Sequence, residues 1–72
     1  MKTVLSLIVN NMSCQQAATL ITKATCFSVV PVKSDNSIRV SRLPMTYANA
    51  LCIVNRVGQE LEIDLTHVNP NS

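Results

Sequence analysis

The chain has no tryptophan, one phenylalanine and one tyrosine, so its core must come from Val, Leu, Ile, Ala and Met. The same shortage removes the stacking platforms that readers of single-stranded RNA use, so no nucleic-acid partner is expected. A single glycine and three prolines exclude flexible linkers and low-complexity segments. Charged residues make up 14% of the sequence, and the net charge of +2 falls short of a nucleic-acid binder's basic footprint. Three cysteines, Cys14, Cys26 and Cys52, show neither zinc spacing nor a C-x-x-C pair. They read as reduced, semi-buried thiols of a cytosolic protein.

No stretch is long enough to span a bilayer, and no membrane partner is expected. Lys2 followed by Val4-Leu5-Ser6-Leu7-Ile8-Val9 imitates a secretory signal. That apolar run is shorter than a usual signal core, and Asn10 and Asn11 follow it without a small-x-small cleavage site. Met12-Ser13-Cys14 has the cysteine of a lipoprotein cleavage site, but Asn11 stands where an aliphatic residue belongs. The segment reads as a strand, and the protein as cytoplasmic. Seventy-two residues make one domain over residues 1–68 with a frayed tail at 69–72, and leave folding alone marginal.

What the sequence does have is a complete helix start. Ser13 followed by Gln16 is a capping box, in which each side chain can bond the other residue's amide. Behind it, Ala17, Leu20, Ile21 and Ala24 recur on one helical face, while Gln15, Thr19, Thr22 and Lys23 point the other way. A helix is expected from residue 13 or 14 to Ala24 or Thr25.

Residues 2–9 are apolar on both faces, which suits a strand inside a sheet. Residues 27–33 are rich in valine and make a second strand, but Pro31 cannot donate to a ladder and demands an edge or a bulge. Ser34-Asp35-Asn36-Ser37 is turn chemistry, so a hairpin leads into residues 38–42, with Ile38 and Val40 inward and the arginines in solvent. Pro44-Met45-Thr46 starts a second helix with Thr46 as its cap. Tyr47, Ala50, Leu51 and Val54 give its buried stripe, and residues 55–58 end it. Residues 60–66 alternate as a last strand, with Leu61, Ile63 and Leu65 inward and Glu60, Glu62 and Asp64 outward. The order is β-α-β-β-α-β: an α+β open-faced sandwich, two helices on one face of a four-stranded, mostly antiparallel sheet. Strand order stays open.

At the first helix the sequence resembles HPr, the histidine-containing phosphocarrier family of the bacterial sugar phosphotransferase system. The family reads Asn-Gly-Leu-His, Thr or Ala, then Arg-Pro-Ala. Here the segment is Asn10-Asn11-Met12-Ser13-Cys14-Gln15-Gln16-Ala17-Ala18, followed by Lys23-Ala24 and Phe27. The likeness extends over residues 3–66, with Thr46 where the family has its regulatory serine. The family's phosphorylatable histidine falls on Ser13 and its arginine on Gln15. An imidazole that accepts phosphate becomes a cap hydroxyl, and the cation that steadies the phosphate becomes a neutral amide. The family's third helix, which packs beside the first, has no counterpart before Ser72. The resemblance therefore implies a non-catalytic module that binds a protein partner or a second copy, as regulator, decoy or adaptor. Ser13, Cys14, Gln15 and Thr46 would carry the inherited surface, and Leu20 and Leu51 the bared apolar side.

Other readings stand beside this one. Capping explains Ser13 without phosphorylation. Cys14, at the first helical turn, has a setting that favours thiolate, yet no basic residue neighbours it in sequence. The segment is also similar to heavy-metal-binding domains of β-α-β-β-α-β form, whose loop reads Met-x-Cys-x-x-Cys. Met12 and Cys14 fit, but Ala17 replaces the second thiolate, so a soft metal would have one ligand. The alternative function is metal handling through Cys14; otherwise no cofactor is expected. His67 reads as a structural residue on the inward parity of the last strand. Lys33, Arg39 and Arg42 cluster on the hairpin and the acids on the last strand, as solvated faces. No base, nucleophile and oxyanion donor converge, so the chain is not expected to be an enzyme.

Overall fold

The strand Leu5–Val9 (β1) buries Leu5, Leu7 and Val9 on one face, leaves Ser6 and Ile8 half-buried on the other, and lies inside the sheet. The structure is a computed structural model describing residues 4–43 and 45–68. The expected strand start at residues 2 and 3, Pro44 and the tail at 69–72 lie outside the described residues. After β1 come α1 (Cys14–Thr25), β2 (Ser28–Val32), β3 (Ser37–Ser41), α2 (Tyr47–Glu60) and β4 (Leu65–Val68). This is the β-α-β-β-α-β order of an α+β fold.

The strands lie in the order β2-β3-β1-β4, and all three ladders are antiparallel. Since β3 separates β1 from β2 and β1 separates β3 from β4, two split β-α-β units interleave, which is the ferredoxin-like arrangement. Leu5 and Leu7 pair with Val40 and Ile38 of β3, and these side chains form the buried layer under the helices with Val9, Ala17, Ile21, Ala50 and Val54. Pro31 sits on β2, an edge strand, where a missing donor is tolerated.

Both N-caps form, although among the described residues no Gln16 side-chain bond returns to the Ser13 amide, so the capping box is half made. The Ser13 hydroxyl accepts from the Gln16 amide at 3.2 Å, and the Thr46 hydroxyl accepts from the Asn49 amide at 3.3 Å. α1 closes on Cys26 in the left-handed region (φ 63), whose amide donates to the Thr22 carbonyl. The buried stripe of α1 is rotated from the expected one: Cys14 and Ala18 join Ala17 and Ile21, Leu20 is half-buried and Ala24 is exposed.

The end of α2 corrects the sequence reading. The helix runs through Gly58 to Glu60, and residues 60–66 are not one strand. Alternation of Leu61, Ile63 and Leu65 imitates a strand, but the chain closes the helix there with a Schellman motif. The Ile63 amide donates to the Gly58 carbonyl at 2.7 Å and the Glu62 amide to the Gln59 carbonyl at 3.2 Å, with Glu62 at φ 59. Ile63 is buried as the hydrophobic last residue of the motif, while Leu61 is exposed. Gly58 does not stop the helix; it lets β4 approach, because a Cβ there would lie 2.8 Å from Leu65 Cδ1. Glu60, Glu62 and Asp64 consequently fall on a helix end, a turn and a loop rather than along one strand face.

Candidate protein-binding surface

β1 and β3 run antiparallel, so the helices that follow them start at opposite ends of the sheet. Ser13, Cys14 and Gln15 therefore lie at one end and Thr46 at the other, and the six residues singled out from sequence do not form one patch. Ser13 and Gln15 are exposed, Thr46 is exposed as the cap of α2, and Leu20 and Leu51 are half-buried against the core. Cys14 is only 3% exposed, so its thiol packs inward and offers a partner no surface.

The end that carries Ser13 is held by asparagines. Asn36, in the β2–β3 turn at φ 48, folds its side chain under the β1–α1 loop. Its Oδ1 accepts from the Cys14 amide at 2.8 Å, and its Nδ2 donates to the carbonyls of Val9 at 2.7 Å and Met12 at 3.0 Å. Asn11 reaches the α2–β4 turn, donating to the Glu62 carbonyl and accepting from the Asp64 amide, both at 2.9 Å. Asn10 donates to the Thr66 hydroxyl at 2.8 Å. Three loops distant in sequence are thus fixed as one rigid support for the start of α1. Asn36 was legible only as a turn residue, since its partners lie 22 to 27 positions away.

From this support α1 runs beside β2 without covering it, leaving a groove of about 370 Å³. Its floor is Ala18, Val29 and Pro31; its rim is the outward stripe Gln15, Thr19, Thr22 and Lys23. Val29 and Pro31 face the helix side because they pair with the buried Val40 and Ile38. The groove is apolar below, rich in hydrogen-bonding groups above, and carries one cation.

At the far end, the Tyr47 hydroxyl is hydrogen-bonded to His67 Nε2, with the rings tilted and their centroids 5.7 Å apart. His67 has the expected inward parity, opposite buried Leu7, and is exposed. Among the described residues, no group of three or more His, Cys, Asp or Glu could hold a metal ion, and no helix is long and apolar enough to cross a membrane. Comparison of the chain with protein-family models, with curated proteins and with solved structures finds no match.

Proposed function

We propose that the chain is a non-catalytic protein-binding module, a regulator, decoy or adaptor, that docks its partner in the groove between α1 and β2. The observation that carries this reading is the groove itself: a preformed apolar floor under a convergent polar rim is how binding sites are built. Lys23 on the rim selects a partner segment with an apolar side chain for the floor and a carboxylate beside it. HPr-like kinship is part of the proposal and rests on the pattern of residues 10–27 alone; the ferredoxin-like strand order lends it no support, because one fold hosts many functions. The cap bond of Ser13 supports the absence of phosphoryl relay, since the hydroxyl is already engaged at the helix start. Three free thiols, two of them exposed, support a reducing, cytoplasmic setting.

Metal handling through Cys14 has less support. The element order agrees with the heavy-metal-binding form, but Cys14 is buried and Ala17, in place of the second ligand, is 0% exposed.

A captured and purified partner, titrated against variants, tests the reading. Gln15→Arg and Lys23→Glu should each weaken binding about tenfold, equivalent to 1.4 kcal/mol, while Arg56→Glu on the exposed side of α2 leaves it unchanged. Equal affinity across all three refutes the groove. Incubation with the carrier family's phosphoryl donors should leave no acid-labile phosphate, and its appearance would refute the non-catalytic reading.

A further inference from the structure

Antiparallel ladders turn alternate residues toward each neighbour, so the hydrogen bonds decide what each edge of the sheet offers outward. The Asn10 amide donates to the Asp64 carbonyl at 2.9 Å, in register with Ile8↔Thr66 and Ser6↔Val68. Residues 66 and 68 thus spend their backbone groups on β1, while Asp64 turns its carbonyl to the Asn10 amide and its amide to Asn11 Oδ1. Leu65 and His67 present theirs outward. On the other edge, the Val9 amide donates to the Asn36 carbonyl at 2.9 Å, which commits Ile38 and Val40 to β1 and Ser37, Arg39 and Ser41 to β2. Ser28, Val30 and Val32 answer them, and Val29 and Pro31 face outward.

The two edges therefore differ. β2 turns a proline outward, and its outer row lacks a donor in the middle, a device that discourages strand addition. β4 turns two complete sets of N–H and C=O outward over Leu65-Thr66-His67, without proline, lysine, bulge or charge.

We propose that β4 pairs with β4 of a second copy across a two-fold axis at Thr66, joining the two sheets into one of eight strands. Two constraints limit how a second copy can add; they also admit Leu65 on Leu65 or His67 on His67, and full pairing of both outward residues in each copy fixes the register. Outward-facing residues must meet outward-facing residues, and the helix side of one sheet must continue into the helix side of the other. Setting Leu65 opposite the partner's His67, and His67 opposite the partner's Leu65, meets both. Each copy then uses both outward amides and both outward carbonyls, so the edge is complementary to itself. Thr66 faces the partner's Thr66 on the open side, a favourable cross-strand pair. Asp64 falls opposite the partner's Val68, and the carboxylates of the two α2–β4 turns lie at opposite ends of the joined strands. This surface is separate from the α1–β2 groove, and the inference is independent of what binds there.

Sedimentation equilibrium of the wild-type chain tests the pairing, with weight-average mass expected to rise from 7.9 kDa toward twice that value as concentration increases. Thr66→Asp places like charges on the axis and should hold the mass at the monomer value, with circular dichroism confirming the fold. Crosslinking reads the register. In a Cys26→Ser, Cys52→Ser background, Thr66→Cys should form a disulfide-linked dimer with oxidised glutathione, because facing residues of a non-hydrogen-bonded pair sit about 4.5 Å apart at Cα. Glu62→Cys in the same background is exposed but off the axis and should crosslink at least tenfold more slowly. A wild-type mass fixed at 7.9 kDa at every concentration, or equal crosslinking at the two positions, overturns the proposal. So does a monomer that adds only a foreign extended peptide to this edge.

Discussion

Replacing Asn36 with glycine should remove the clamp on the β1–α1 loop while keeping the backbone it needs. Glycine adopts φ 48 without penalty, so the change isolates the side chain's three hydrogen bonds. Each contributes about 0.5–1.5 kcal/mol net, which gives a loss of about 2–4 kcal/mol. A chain of this length has about 4–11 kcal/mol in all, so the variant should keep roughly half its stability. Its melting temperature should fall by about 8–32 °C, at about 4–8 °C per kcal/mol. Asn36→Ala should cost about 1 kcal/mol more, because a Cβ is strained in the left-handed region. Urea unfolding followed by circular dichroism measures both variants. Hydrogen exchange at the Cys14 amide, which loses its acceptor, localises the effect. If Asn36→Gly unfolds at the wild-type midpoint, the three bonds do not hold the loops together. If alanine and glycine are equal there, the left-handed backbone is not the reason for asparagine.

Gly58→Val should destabilise by about 2 kcal/mol or more, since even a Cβ would lie 2.8 Å from Leu65 Cδ1 and overpacking forces α2 from β4; an unchanged urea midpoint would show that the glycine is dispensable. Iodoacetamide should modify Cys26 and Cys52 in the native protein and Cys14 only on unfolding, because Cys14 is buried and the other two are exposed. Mass spectrometry of the labelled chain checks this, and native labelling of Cys14 at the rate of the others would contradict its packing.

Short-range physics made much of the fold legible. The cap at Ser13 and the cap at Thr46 need only residues three positions away, and the hairpin at 33–36 needs only turn chemistry. The last strand misled because Leu61, Ile63 and Leu65 satisfy a two-residue period by accident. Their true arrangement follows from a helix closure and from the approach of β4 to Gly58. The candidate surface was partly legible: Gln15, Thr19, Thr22 and Lys23 read as an outward stripe. The floor it faces comes from β2, and its position beside α1 depends on strand order.

By itself the sequence determined the order of six elements, the start of each helix and the inward residues of β3, because periodicity and capping act over a turn or two. Only the tertiary structure decided that Ser13 and Thr46 lie at opposite ends and that Asn36 joins loops remote in sequence. It alone also decided which edge carries a proline outward and which does not. These properties depend on how strands are ordered and on hydrogen bonds spanning tens of residues, and local sequence preference has no hold on either.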